Sequence, residues 1–230
     1  MCNKGETVKL YVVGVGPGDP ELITLKGRKV LEEAPVVFCP STKGHSRALE
    51  IIRGFLKGQK VVLLEFPMKA QNPKVHLTKA SEVILKELER FKTGTYVTLG
   101  DPSLYCTFFW IYDHLREKVS VEIIPGVSSF TAAACAIPLP LVLGEEKLAL
   151  IPVLYCENLS TYINDFDTLV FLKVKGKIKD LKEFIDVDRY RVFYIKRATL
   201  PEQKIWEGLE ALEDNDEDYL SLVVVKKCRS

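Results

Sequence analysis

The chain has 230 residues, enough for one large domain or two small ones with a substantial core. Its 47% hydrophobic and 27% charged residues exclude disordered and collagen-like architectures. A formal net charge of +1, from 32 basic and 31 acidic residues, provides no global field to gather nucleic acid.

Val8 to Val15 alternates and then runs apolar, the pattern of a buried strand. It ends in Gly14-Val15-Gly16-Pro17-Gly18-Asp19-Pro20, which lacks the last spacing of a dinucleotide fingerprint and the Gly-Lys-Ser/Thr of a P-loop. Leu22, Leu25, Val30 and Leu31 then give a helical spacing up to Ala34-Pro35. Val36-Val37-Phe38 predicts a second strand that stops at Pro40. A polar loop, Ser41 to Ser46, precedes a helix over Ala48 to Phe55. Val61 to Leu64 is the third strand, followed by a loop from Phe66 to Pro73 and a helix from about Lys74 to Phe91.

The fourth strand, Thr95 to Leu99, feeds Gly100-Asp101-Pro102-Ser103-Leu104-Tyr105 and an amphipathic run to Leu115. Gly100 permits a tight turn, Asp101 can cap the helix, and Pro102 suits the first helical position. Ser120 to Ile124 is the fifth strand and ends in Pro125-Gly126. This succession predicts a parallel α/β sheet with right-handed crossovers.

Beyond it lies a helix rich in small residues, Ser128 to Ala136, broken by Pro138 and Pro140. Leu148 to Val153, Thr168 to Val174, Arg191 to Ile195 and Tyr219 to Val225 read as strands. Tyr155 to Phe166 and Ile178 to Phe184 read as helices. These form a second α/β domain, with a boundary inside Pro125 to Gly144, so the expected domains are 7–126 and 127–230. The acidic run Glu213 to Asp218 lacks the glycine and distal glutamate of a calcium loop and is expected to be a solvated turn. Met1 to Lys9 is polar and no stretch approaches the ~20 apolar residues of a membrane span, which favours a cytoplasmic protein. The six cysteines are scattered with no Cys-x-x-Cys, so no metal site is expected.

Two strand ends carrying Gly-Asp-Pro suggest two walls of one cleft. Together with Ile124-Pro125-Gly126-Val127-Ser128-Ser129-Phe130, these loops resemble the motif set of the tetrapyrrole (corrin and porphyrin) methylases. With Phe38-Cys39-Pro40-Ser41 added, they are most similar to the carbon-20 methyltransferases of precorrin-2 or its cobalt form in cobalamin synthesis. The resemblance implies two α/β domains, the N-terminal one with a mostly parallel sheet and the C-terminal one with a mixed sheet, and an active-site cleft between them. It implies S-adenosylmethionine as methyl donor and a homodimer; the near-neutral charge and the lack of a long apolar stretch argue against nucleic acid or membrane as partner. A corrinoid methylase acting at another ring position, or a ribosomal RNA methylase of the same fold, is the alternative.

Carried over residue by residue, the resemblance puts Gly100, Asp101, Ser103 and Leu104 at the donor, followed by Ser129 and Thr131. In the second domain it points to Val153, Leu154, Val174 and Ser221. Pro17 and Asp19 fall on the tetrapyrrole side. The macrocycle carries many carboxylates, so Lys43, His45, Arg47 and Lys69 are candidate substrate-binding residues. Methyl transfer to carbon displaces a neutral thioether, so alignment and exclusion of water are much of the enzyme's task. No single general base stands out; His45, Tyr105 and Asp101 are conceivable, and any cobalt would arrive inside the substrate.

Overall fold

A computed structural model describes residues 8–67, 73–156, 159–210, 212–214, 216 and 218–228. The chain divides into two compact units between Ser128 and Ser129.

In the first unit, strands β1 (Lys9–Gly14), β2 (Val36–Ser41), β3 (Lys60–Glu65), β4 (Thr93–Thr98) and β5 (Ser120–Ile124) form a sheet in the order β3-β2-β4-β1-β5. Every pairing in it is parallel. Helices α1 (Leu25–Glu33), α2 (Arg47–Ile52), α3 (Pro73–Phe91) and α4 (Phe108–Leu115) make the crossovers. Thr24 caps α1 by accepting the Gly27 amide at 3.1 Å, and Ser46 caps α2 by accepting that of Leu49 at 3.3 Å.

Alternation along the strands sorts the core onto two faces. Leu10, Val12, Phe38 and Tyr96 pack with Ile84 and Leu88 of α3 and with Phe108 and Ile111 of α4. Val13, Val37, Val97 and Ile124 pack on the other face with Leu31 of α1 and with Ile51 and Ile52 of α2. The chain therefore leaves β1 toward one face and leaves its neighbour β4 toward the other. Such a switch point opens a crevice at the carboxyl ends of the two strands.

The parallel sheet matches the sequence reading, and the largest difference is at β2. β2 does not stop at Pro40 but runs to Ser41, because beyond Phe38 it is paired on the β3 side alone and a residue without an N–H is tolerated there.

In the second unit, α5 (Ser129–Ala136) precedes strands β6 (Leu148–Pro152), β7 (Thr168–Leu172), β8 (Tyr190–Lys196), β9 (Lys204–Glu207) and β10 (Ser221–Lys227). Their order is β6-β7-β10-β8-β9. Only β6 and β7 are parallel, so this sheet is mixed. One face packs Phe171, Val192, Tyr194 and Val223 against Ile178 and Leu181 of α7 (Ile178–Phe184). The opposite face packs Val170, Phe193 and Val224 around Ala133 of α5.

Three expectations fail in this unit. The helix expected over Tyr155 to Phe166 is a 3-10 turn at Val153–Tyr155 and a single helical turn, α6 (Ser160–Ile163). Strand β9 went unpredicted, since Lys-Ile-Trp-Glu is short, charged at both ends and defined by pairing to β8. The acidic run is not a solvated turn throughout. Asp216 accepts Lys196 Nζ at 2.8 Å and Asp218 accepts Arg197 Nε at 2.8 Å, with both carboxylates largely buried. Two cations from the end of β8 compensate the desolvation that exposure would have avoided. No helix among the described residues is long and apolar enough to cross a membrane.

Candidate active site

Three glycines meet at the carboxyl end of the first sheet, at its switch point. The loops after β1 and β4 are bonded to each other: Gly100 donates to the Gly16 carbonyl at 2.8 Å, and Gly16 donates back to Gly100 at 3.4 Å. A Cβ on Gly14 would lie 2.6 Å from the Gly100 carbonyl oxygen and 2.7 Å from the Gly126 nitrogen. A Cβ on Gly126 would collide with the same carbonyl and come within 2.8 Å of Gly14. Close backbone approach is thus what demands glycine at both positions. Gly100 and Gly16 are needed for another reason, their left-handed φ of 64° and 78°.

Asp101 ties this junction together. One carboxylate oxygen accepts the Ser103 amide at 2.8 Å and the Ser103 hydroxyl; the other accepts the Gly126 amide at 2.9 Å. Burial pushes its pKa up, but the Ser103 hydroxyl and the amides of Gly126 and Ser103 outweigh that and hold it below its ordinary value. The expected helix from Ser103 does not form. Asp101 closes a turn on itself, Tyr105 takes a left-handed φ of 51°, and α4 begins only at Phe108. Asp101 is therefore a turn-former and a latch between two strand ends, and Pro102 does not open the helix.

The remaining first-unit candidates fall around this edge. Asp19 accepts the Glu21 amide at 2.8 Å and caps the 3-10 turn Pro20–Leu22, after the half-buried Pro17. Leu104 is half-buried, while Ser103 and Tyr105 are exposed. Lys43 and His45 sit in a tight turn at the end of β2, where Thr42 and His45 exchange main-chain hydrogen bonds of 2.9 and 3.1 Å. His45 and Arg47 both face Glu50, at 3.5 and 3.1 Å. Lys69 lies outside the described residues.

Second-unit candidates are gathered by topology. β6, β7 and β8 run the same way and β10 opposes β7 and β8, so Val153, Leu154, Val174 and Ser221 come to one edge of that sheet. Val153 and Val174 are buried in the core, and Ser221 is buried with its hydroxyl donated to the Asp218 carbonyl at 2.6 Å. The side chains of these three are thus turned into the protein, whereas Leu154 is exposed. Ser129 and Thr131 lie in the first turn of α5, half-buried and exposed respectively.

Gly14 and Gly126 stand in the loop motifs that carry the resemblance, but the sequence assigns neither a contact of its own, because their close approach is a contact between distant strand ends. Lys173, beside Val174, takes a left-handed φ of 57° at the end of β7 and lies 5.3 Å from the Tyr155 ring centroid. Burial pulls the Lys173 pKa down. Backbone strain of this kind collects at functional edges.

Residues 9–212 match the family model of the tetrapyrrole (corrin/porphyrin) methylases. The chain is 39% identical over 226 residues to a probable cobalt-precorrin-2 C(20)-methyltransferase of Methanocaldococcus jannaschii, covering 95% of this chain and 96% of that one. It is 30% identical to the cobalt-precorrin-2 C(20)-methyltransferase of Salmonella typhimurium, again over 95% and 96% of the two chains. Among solved structures, a cobalt precorrin-4 methyltransferase of cobalamin biosynthesis superposes with a TM-score of 0.78 at 27% identity, covering 98% of each chain. Matched by the family model over most of its length and by full-length relatives, the chain belongs to the tetrapyrrole (corrin/porphyrin) methylases.

Proposed function

We propose that this protein is an S-adenosylmethionine-dependent C-methyltransferase that methylates carbon 20 of precorrin-2 or cobalt-precorrin-2 in cobalamin biosynthesis. The observation that carries it is the 39% identity, over nearly the full length of both chains, to a relative named for that reaction. The residues fit the chemistry. Carbon 20 is conjugated to pyrrole-type nitrogens and is enamine-like, and the donor is already activated, so the protein must hold two reactants in line and keep water out.

A junction built from Gly14, Gly100 and Gly126 packs main chain against main chain and keeps side chains off the strand ends, beside the loops that bind a small polar donor. Gly100, Ser103 and Leu104 contact the donor there, with Asp101 ordering them. Ser129, Thr131 and the main chain at Val153, Leu154, Val174 and Ser221 supply further contacts. Pro17 and Asp19 border the tetrapyrrole, and Lys43 meets one of its carboxylates. Cobalt enters inside the substrate. The enzyme works in the cytoplasm as a homodimer.

The test is turnover with methyl-labelled S-adenosylmethionine, offering precorrin-2 and its cobalt complex separately under anaerobic conditions and locating the methyl by carbon NMR. Label at carbon 20 is the expected result. Label at another ring position assigns the chain to a different corrinoid methylase, and no transfer to either macrocycle overturns the reading and makes ribosomal RNA the next substrate to offer. Sedimentation of the purified chain reads the homodimer directly.

A further inference from the structure

Glu65, the last residue of β3, stands opposite Ser41 in the register of β2 and β3. Its carboxylate accepts the Ser41 hydroxyl at 2.9 Å, the Gly44 amide at 3.2 Å and the Lys43 amide. Lys43 and Gly44 have successive left-handed φ angles of 53° and 75°. Two consecutive N–H groups therefore converge on one anion, as in a backbone nest, and the anion is the protein's own.

Other bonds close the same turn. The Thr42 hydroxyl donates to the Phe66 carbonyl at 3.1 Å, and the Phe66 amide donates to Ser41 at 2.8 Å. A left-handed φ is disfavoured for any residue with a side chain, so the Lys43 backbone needs such an external reason to adopt it. Burial pushes the Glu65 carboxyl up, but the Lys43 amide, the Ser41 hydroxyl and the Gly44 amide hold it below its ordinary value. The internal anion thus stays charged at neutral pH.

This device fixes the backbone of one cationic residue. Lys43 is exposed at the carboxyl edge of the parallel sheet, the edge that carries the glycine junction. No carboxylate among the described residues lies within ion-pair distance of its ammonium group, whereas His45 and Arg47 are both engaged with Glu50. We infer that Glu65 is a positioning residue for the substrate: it holds the Lys43–Gly44 turn so that Lys43 can take a carboxylate side chain of the tetrapyrrole. The inference rests on the function proposed above.

Glu65→Gln, Lys43→Met and the double variant test it by steady-state kinetics with the preferred tetrapyrrole, alongside calorimetric binding of S-adenosylhomocysteine. Each single change is expected to raise the tetrapyrrole KM about tenfold, the worth of one charge-assisted hydrogen bond. Neither kcat nor donor-product affinity should move by more than about twofold, because the donor loops are untouched. The double variant should be no worse than Lys43→Met alone, since Glu65 acts through Lys43. A wild-type KM in Glu65→Gln, or effects that multiply in the double variant, would overturn the inference. Should Glu65→Gln fold poorly, Glu65→Asp, whose carboxylate is one methylene short of the turn, takes its place in the same comparison. Wild-type protein that methylates neither form of precorrin-2 removes the proposed function and the inference with it; normal turnover with an unmoved KM in the variants removes the inference alone.

Discussion

The carboxylate of Asp101 accepts the amide of Gly126 at 2.9 Å, 25 residues further along the chain. That single bond joins the end of β4 to the end of β5 across the intervening β1, over the point where Gly14, Gly100 and Gly126 touch. It makes the loop order of the candidate active site depend on one ionised side chain.

Replacing Asp101 with Ala should therefore disturb folding and donor binding together. A carboxylate accepting several N–H and O–H donors is worth roughly 2 kcal/mol, and urea unfolding should register a loss of that size. On the proposed function, S-adenosylhomocysteine affinity should fall about tenfold, because Asp101 orders the loop assigned there to the donor. Intact affinity alongside the full stability loss would confine Asp101 to a structural role.

The same residue gives a pH signature. Its pKa in the folded protein is held below the ordinary 3.8, so the ionised form is the one that folding favours. Its stabilising contribution is present in full above that ordinary value and drains away as pH falls through the lower folded value. The stability gap between wild type and Asp101→Asn should be flat from neutral pH to about 5 and narrow below about 4. A gap that instead closes between pH 7 and 6 would point to a different group.

Two glycines make opposite predictions. A Cβ at Gly126 meets the backbone of Gly100 and Gly14, which has nowhere to go, and Gly126→Ala should cost about 2 kcal/mol or more. At Gly54 a Cβ would have nothing within 4 Å, and its φ is not left-handed. Gly54→Ala should leave stability unchanged or raise it by about 0.5 kcal/mol, by restricting the unfolded chain. Thermal melts of the pair would separate close approach from mere flexibility as the reason for glycine.

In the second unit, Lys226 is 5% exposed and donates to the Leu141 carbonyl at 3.0 Å and to Glu146. Glu146→Ala leaves that buried ammonium without its counter-charge and should cost about 3 kcal/mol. Lys226→Met removes the charge itself and should cost clearly less. Equal losses in the two variants, read by chemical denaturation, would contradict a buried-charge origin.

Much of this was legible in the chain. The parallel sheet followed from apolar runs alternating with helical spacings, and β5 and α7 lie where the pattern put them, because a buried strand or a helix face is written locally in side-chain polarity. The loop motifs gave the family for the same reason: glycine, aspartate and proline at a strand end constrain the backbone wherever they stand. The misreadings came from contacts between distant residues. Asp101 looked like a helix cap because the sequence does not reveal that Gly126 competes for its carboxylate, and the acidic run looked solvated because Lys196 and Arg197 are some 20 residues away. Composition and local pattern determined the two α/β units and the positions of the loops. Tertiary structure decided which of those loops touch, since only folding brings an amide of one strand end within 3 Å of a carboxylate on another.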